Sequence, residues 1–232
     1  MKPMEKRRVA VFDIDGTVFR TSLAHELMVR LIKDGVVSKK AAEYYEEQYQ
    51  MWRDREGTYE DFIDMFADAA RKYWKGIYYG DFADASKLVI AEQYKHTYVY
   101  TREIIKELRA KGYYLLAISH SPKTIVDPFC KKMGFDKAYG MVWEIGPQDQ
   151  LTGTVAETHL IMNKANILKR AIEKENLTLA HSIGVGDTES DVSFLEMVAR
   201  PICFNPNAAL YRYAKRMKWK VVVERKDVVY EL

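Results

Sequence analysis

The sequence predicts an α/β fold, a doubly wound parallel sheet with an inserted α-helical bundle. Three observations predict it. Val9 to Phe12 form a short apolar run that ends abruptly in Asp13 and Asp15, as a strand buried on both faces of a parallel sheet does. After about residue 98, apolar runs of strand length alternate with stretches of helical periodicity, the signature of right-handed β-α-β crossovers. Between these two parts, residues 21–97 carry helical periodicity alone.

The elements follow in order. Residues 8–13 are the first strand. Leu23, Leu27, Met28, Leu31 and Ile32 share one face of a helix that Asp34-Gly35 stops. Ser38 caps a second helix, which runs through Tyr45 and Tyr49 to about Arg53, and Gly57 breaks it. Thr58-x-x-Asp61 is a capping box for a third, with Phe62, Met65, Phe66 and Ala69 inward. A fourth spans Asp81 to His96. Helix at 101–111, strand at Tyr113–Ser119, helix at Pro122–Met133 and strand at Tyr139–Glu144 come next. A hairpin turns at Gly146-Pro147 and Asp149. Helix Asn163–Glu175, strand Ser182–Val185, helix Thr188–Val198, strand Pro201–Phe204, helix Ala208–Met217 and strand Val221–Val223 complete the pattern. The expected organisation is therefore a core made of residues 1–20 and 98–232, with residues 21–97 as a helical cap. Inserted directly after the first strand, the cap hangs over Asp13 and Asp15 as a lid.

Composition narrows the function classes. The 232 residues are 48% hydrophobic and 30% charged, an ordinary globular mixture. Thirty-six basic and 33 acidic residues leave a net charge of +3. So small an imbalance gives no reason to expect nucleic acid or a membrane as partner, and Lys6-Arg7-Arg8 reads as a solvated tail. No run approaches the roughly 18 apolar residues of a spanning helix, and the N-terminal apolar stretch is too short for a secretory signal. Cys130 and Cys203 have no metal-ligand spacing and read as buried thiols. A cytoplasmic protein is the expectation.

In a parallel sheet, ligands bind beyond the carboxyl ends of the strands, and four features converge there. They are Asp13-x-Asp15-Gly16-Thr17, Ser119 at the end of Tyr-Tyr-Leu-Leu-Ala-Ile-Ser, Lys164 at the start of a helix, and Gly186-Asp187-x-x-x-Asp191 after a strand. Two carboxylates so close repel each other unless a cation or a shared proton sits between them. Mg²⁺ takes about six oxygen ligands and keeps some water, and an amine with a hydroxyl suits the oxygens of a phosphoryl group in transfer. Each feature alone has a plainer reading. Asp13 and Asp15 resemble a turn or the start of a calcium loop, although such a loop has its glycine at the sixth position and Gly16 is fourth. Ser119 reads as a strand-end hydroxyl and Lys164 as a solvated helix residue. Asp187 reads as a helix cap, with Thr188-x-x-Asp191 a capping box. Together with the upstream Asp-x-Asp pair, the functional reading prevails.

Taken in this order, the four motifs resemble those of the haloacid dehalogenase-like (HAD) superfamily, and the likeness covers the whole chain. The resemblance implies a Rossmann-like core and a phosphatase. Asp13 would be the nucleophile that becomes an aspartyl-phosphate. Asp15 would protonate the leaving alkoxide and then deprotonate the attacking water. Thr17, Ser119 and Lys164 would bind the phosphate. Asp13, Asp15 through its carbonyl, Asp187 and Asp191 would hold Mg²⁺, with Asp191 either a ligand or an acceptor behind the ligands.

The helical insertion resembles the branch that contains phosphoserine phosphatases, and the C-terminal stretch from Pro201 to Val222 resembles a group that includes histidinol-phosphate phosphatases. Phosphoserine itself is disfavoured. Where that branch has a glutamate and an arginine for the amino acid, this chain aligns Ser22 and Asp64. A neutral or cationic small phosphorylated metabolite fits better, with Ser22, His25 and His120 as candidate substrate contacts and Asp64, Asp68 and Glu26 as acids that would face a cation. His96, His159 and His181 read as surface residues. Of the cap's many aromatics, among them Tyr44, Tyr45, Tyr49, Trp52, Tyr59 and Trp74, most read as bundle core, with a few free to line a substrate wall. Two other functions share these residues. One is a phosphotransferase or mutase that uses the same aspartyl-phosphate, and the other is a non-catalytic binding protein on this scaffold.

Overall fold

A computed structural model describes residues 6–156 and 162–232. The strands are β1 (Arg7–Phe12), β2 (Tyr114–Pro122), β3 (Lys137–Ile145), β4 (Leu151–Ala156), β5 (Leu177–Gly186), β6 (Arg200–Phe204), β7 (Lys220–Arg225) and β8 (Val228–Glu231). They form one sheet in the order β4-β3-β2-β1-β5-β6-β7-β8. Pairing is parallel from β3 across to β7 and antiparallel at both edges. The first strand therefore lies in the middle of the sheet, where strand order reverses direction, and its carboxyl end opens the crevice in which such sheets bind ligands.

The helices are α1 (Leu23–Lys33), α2 (Lys40–Arg53), α3 (Tyr59–Trp74), α4 (Tyr79–Gln93), α5 (Val99–Ala110), α6 (Lys123–Met133), α7 (Lys164–Lys174), α8 (Val192–Leu195) and α9 (Ala208–Met217). Side chains of a strand alternate between faces, and β1 shows the result. Ala10 and Phe12 belong to one apolar cluster, which the inserted helices and α6 share, while Val9 and Val11 belong to the other, beneath α7 and α9. Both faces are covered, as a parallel sheet requires. No described helix is long and apolar enough to cross a membrane.

Residues 21–97 are helical, and they pack as two layers. Helices α1 and α4 rest on α6 of the sheet layer, so Leu23, Leu27 and Phe82 continue the core of Phe12 and Phe129. Helices α2 and α3 pair with each other beyond them and reach the β3–β4 hairpin. There the Gly76 N–H donates to the Leu151 carbonyl (2.8 Å) and the Leu151 N–H to that of Ile77 (2.9 Å). The two chain crossings are pinned together as well. The Arg20 N–H donates to the His96 carbonyl (3.0 Å) and the Arg20 guanidinium pairs with Glu224 (3.3 Å). The Glu224 carboxylate also accepts the Val99 and Tyr100 N–H groups (3.1 and 2.8 Å). It thereby caps α5 from a distant strand, in place of the side chain of Tyr98 at the helix start.

Several expectations change in detail. The helix expected over Thr188–Val198 is a 3₁₀ turn at Glu189–Asp191 followed by the short α8, because the Asp191 carboxylate turns back onto the main chain. The second helix begins after Lys39 without a side-chain cap, and Ser38 only accepts the Lys40 N–H at 3.4 Å. The basic residues Arg7 and Arg8 lie inside β1 and place their guanidiniums over the rings of Tyr114 and Tyr113, so this segment is no loose tail. The sequence reading ends at Val223 and omits strand β8, where Val228-Val229-Tyr230 favours a strand but all four residues are exposed and show no alternation of burial.

Candidate active site

The site begins where β1 leaves the sheet. The Asp13 N–H still donates to the Val185 carbonyl of β5 (2.9 Å), the last link before the chain turns. Gly16 makes that turn with φ +80, and its N–H donates to the carbonyls of Phe19 (2.9 Å) and Thr21 (3.1 Å). Any side chain here would be strained by the left-handed backbone and would also overlap the Asp187 carboxylate. The glycine thus lets the first loop and the loop after β5 approach each other.

Lys164, the first residue of α7, is 2% exposed. Its Nζ donates to Asp13 Oδ1 (2.5 Å) and to Asp191 Oδ1 (2.6 Å). Burial works against this ammonium, yet Asp13 and Asp191 outweigh it and the lysine stays charged. The other Asp191 oxygen accepts the N–H groups of Asp187 (2.9 Å) and Thr188 (3.1 Å). Asp191 thus closes the loop after β5 and aims Lys164. Oxygens of Asp13, Asp187 and Asp191 all lie within 4.8 Å of one another. Burial, above all, pushes the Asp13 carboxyl up to about 8, with Lys164 opposing and Asp191 and Asp15 adding to the rise. Asp187 is pushed well up by burial and then by Asp13 and Asp191. Asp13 Oδ2 is buried and has no hydrogen-bond partner among the described residues. An orphaned carboxylate oxygen beside two further carboxylates is a hard, anionic donor set, and it suits a divalent cation such as Mg²⁺.

Asp15 is held differently. Its Oδ1 accepts the Leu23 N–H at the start of α1 (2.6 Å), and its Oδ2 accepts the Ser119 hydroxyl (2.6 Å). Burial raises its pKa against these hydrogen bonds, that of Ser119 first. A carboxyl that retains its proton more readily than usual is suited to act as a general acid. Ser119 Oγ in turn accepts the Ser121 N–H (2.8 Å), and Ser121 Oγ accepts the Ala24 N–H (2.9 Å). This chain ties the end of β2 to α1 and fixes Asp15 from both sides.

A cavity of 470 Å³ opens over this cluster. Of the residues the sequence singled out, Asp13, Asp15, Lys164, Asp187, Ser22, His120, Asp64, Tyr59 and Trp74 line it, while Glu26 and Asp68 do not. Thr17, Ser119 and Asp191 sit behind this lining and are fully buried, and their polar atoms hold other residues. The Thr17 hydroxyl donates to Asp187 (3.2 Å) and that of Ser119 to Asp15. Ser22 caps α1, its hydroxyl accepting the His25 N–H (3.4 Å). His25 does not reach the cavity. It packs among Tyr45, Tyr49, Phe62 and Phe66 at centroid distances of 5.1–5.8 Å, because its position on α1 faces the α2–α3 pair. His96 and His181 are exposed, and His159 lies outside the described residues.

Sequence reasoning named part of the cavity wall, Asp64 and the cap aromatics Tyr59 and Trp74, but did not place it, and it missed Glu60 and Trp143. Helix α3 contributes Tyr59, Glu60, Asp64 and Arg71 along one side, while Trp143 of β3 packs edge-on against Trp74 (4.9 Å) on the other. The recurrence of these α3 residues at helical spacing was the available signal, but nothing local tells which face of a cap helix meets the core. Asn207, whose N–H donates to the Asp187 carbonyl (2.9 Å), is a further lining residue without a motif.

The model of one family, haloacid dehalogenase-like hydrolase, matches residues 10–196. A histidinol-phosphatase of Neisseria meningitidis serogroup C is 27% identical over 225 residues, covering 93% of this chain and 98% of that protein. Among solved structures, a Bordetella pertussis Tohama I protein of unknown function superposes with a TM-score of 0.73 at 19% identity, covering 94% of this chain and 98% of the other. A phospho-aspartyl intermediate analogue of phosphoserine phosphatase superposes at 0.64 and 20%, covering 96% of each. With the matched region running from the middle of β1 past the acidic loop after β5, the chain belongs to the haloacid dehalogenase-like hydrolases, as an enzyme of the phosphatase type.

Proposed function

We propose that this enzyme is a Mg²⁺-dependent phosphomonoesterase that hydrolyses a small phosphorylated metabolite through an aspartyl-phosphate on Asp13. The observation that carries the proposal is the buried, unpartnered Asp13 Oδ2 at the floor of the cavity, with the Lys164 ammonium on the other oxygen of the same carboxylate. Asp13 and Asp187, with the Asp15 carbonyl, would hold the ion, and Asp191 would steady the loop that carries Asp187. Bound there, Mg²⁺ would supply positive charge to the phosphoryl oxygens.

The chain's own residues do the rest. The Asp13 carboxylate attacks phosphorus, and the ester oxygen departs with the proton of Asp15. Asp15, now a carboxylate, removes a proton from water as it attacks the acyl-phosphate, and inorganic phosphate leaves. Ser119 and the Leu23 N–H keep Asp15 oriented for both transfers. Lys164 offsets charge that builds on the phosphoryl group. Thr17 supports the reaction by positioning Asp187.

The substrate reading rests on the cavity and on the relative. Glu60 and Asp64 line the cavity, while Arg71, the one arginine or lysine besides Lys164 among its described lining residues, is already paired with Asp68 (2.7 Å). A phosphate ester that also carries a positive charge suits such a lining, and a relative named histidinol-phosphatase makes histidinol phosphate the first compound to assay. The buried free thiols of Cys130 and Cys203 support a cytoplasmic location. The test is phosphate release from a generic aryl phosphate with and without Mg²⁺, followed by a screen of phosphorylated metabolites. Turnover that requires Mg²⁺ and vanishes in Asp13→Asn is expected. Undiminished turnover in that variant would overturn the proposal.

A further inference from the structure

We infer that Tyr59, contributed by the inserted helices, contacts the substrate, its hydroxyl donating a hydrogen bond to the phosphoryl group as it is transferred. The inference rests on the phosphomonoesterase reading above and adds a residue from the far side of the cavity.

Tyr59 is the first residue of α3 and lines the same cavity as Asp13, Asp15 and Asp187. The start of its helix is fixed by a complete capping box, in which Thr58 Oγ1 accepts the Asp61 N–H (3.1 Å) and Asp61 accepts the Thr58 N–H (3.4 Å). Its ring is held from behind by Trp52 (5.2 Å) and Phe62 (6.0 Å), themselves stacked at an interplanar angle of 9°. The phenol is therefore placed by the α2–α3 pair rather than by the sheet. Burial, then the charges of Asp187, Asp15 and Asp13, keep it protonated well beyond the ordinary range, so it serves only as a neutral donor. Those carboxylates do not use it. Among the described residues, the hydrogens they accept come from Lys164, Thr17, Ser119, Ser121 and the Leu23 N–H. A neutral O–H in the wall of a cavity that three carboxylates also line is suited to an anion that arrives between them. A phosphoryl group held at the Asp13 end of the cavity would receive positive charge from a cation bound by the carboxylates and a hydrogen bond from Tyr59, a donor that the inserted helices supply.

Tyr59→Phe keeps the ring and its packing, so thermal unfolding should match the wild type. With an aryl phosphate at saturating Mg²⁺, kcat should fall 10- to 100-fold while KM changes less than threefold. Orthovanadate, which adopts the geometry of the group in flight, should bind 10- to 100-fold more weakly by calorimetry, and inorganic phosphate less than threefold. A residue that only packed would move neither the split between kcat and KM nor the contrast between vanadate and phosphate. A variant with wild-type kcat and vanadate affinity would overturn this inference and leave the phosphatase reading intact. A wild type without phosphate release would overturn both.

Discussion

Gly16→Ala offers a measurement in which backbone strain and catalytic geometry separate. Gly16 has φ +80 and Gly35 has φ +75, so an alanine at either position meets the same left-handed backbone. That strain amounts to ~1–2 kcal/mol, or a fall in Tm of about 2–8 °C for a chain of this size. The surroundings differ. A Cβ at Gly35 meets nothing within 4 Å, whereas one at Gly16 overlaps the Asp187 carboxylate. To relieve the overlap, that carboxylate must shift by about 1 Å, a displacement that costs on the order of 10²-fold in rate when it affects reacting groups. Gly35→Ala should therefore lose stability and keep full activity. Gly16→Ala should lose similar stability, about 10²-fold in kcat/KM and at least about tenfold in Mg²⁺ affinity. Thermal unfolding, phosphate release and a Mg²⁺ titration of both variants check this. If Gly16→Ala retains the activity of Gly35→Ala, the approach of the first loop to Asp187 has no role in catalysis.

Three further perturbations test separate parts of the structure. Lys164→Met leaves Asp13 and Asp191 buried without their ammonium, which should cost ~3–5 kcal/mol. Asp13 already holds its proton to about pH 8 against an ordinary value of 3.8, and losing Lys164 raises it further. The unfolded chain ionises that carboxyl near its ordinary value in both proteins, so both should lose stability in parallel between pH 5 and pH 7, and the deficit in urea unfolding should widen only as the pH rises through 8, where Asp13 of the wild type ionises and that of the variant does not; a deficit that shrank there would refute the pairing. Glu224→Ala removes the acceptor of the Val99 and Tyr100 N–H groups at the part-exposed start of α5, and loss of such a helix cap costs about 0.5–2 kcal/mol. A loss below about 0.5 kcal/mol would show that Glu224 does not cap α5. His25 has its pKa lowered from 6.5 by burial among the cap aromatics, against the pull of Glu26 and Glu46. The unfolded chain then binds a proton more readily, so stability is full above pH 6.5 and falls as pH drops below it. His25→Phe should flatten that slope in denaturation midpoints taken at pH 5 and pH 7.5, and equal slopes would exclude His25 as its source.

The two halves of the site differ in how visible they are in sequence. Asp13, Asp15, Lys164 and Asp187 sit at strand ends or a helix start, and the parallel alternation that announces those elements also announces where they converge. Local chemistry and global topology give one answer there. The cap wall has no such link. Tyr59 precedes a strong amphipathic run, yet only tertiary packing decides that it overlooks three carboxylates, and Trp143 enters through a hairpin whose partner is fixed by β4. His25 shows the same limit from the other side. It lies just after the catalytic loop in sequence, but one helical turn is enough to carry it into the aromatic cluster. For Ser119 and Thr17, the positions were legible from their place after strands, whereas their hydrogens go to Asp15 and Asp187, a choice set by neighbours more than 100 residues away.

The charges of the core explain why these residues occur as a set. Asp13, Asp15, Asp187 and Asp191 would carry four negative charges and Lys164 returns one. Left alone in a buried site, such an excess is relieved by protons, as the raised values of Asp13 and Asp187 indicate. In the proposed reaction, a proton on Asp13 would remove its power as a nucleophile. A divalent cation would lower the excess by two charges and displace that proton, so the ion proposed to draw the phosphoryl oxygens would also keep Asp13 ionised. The acid role proposed for Asp15 needs the opposite state, and its environment differs accordingly, with the neutral donors Ser119, Ser121 and the Leu23 N–H on its oxygens and no direct ammonium contact. Separation of two carboxylates into an ionised nucleophile and a protonated acid, two residues apart, requires neighbours that treat them differently. Lys164 and the acidic loop act on one, Ser119 and the first turn of α1 on the other. Because that turn belongs to the inserted segment, any movement of the cap that reaches Leu23 would alter the acid while leaving the nucleophile in place.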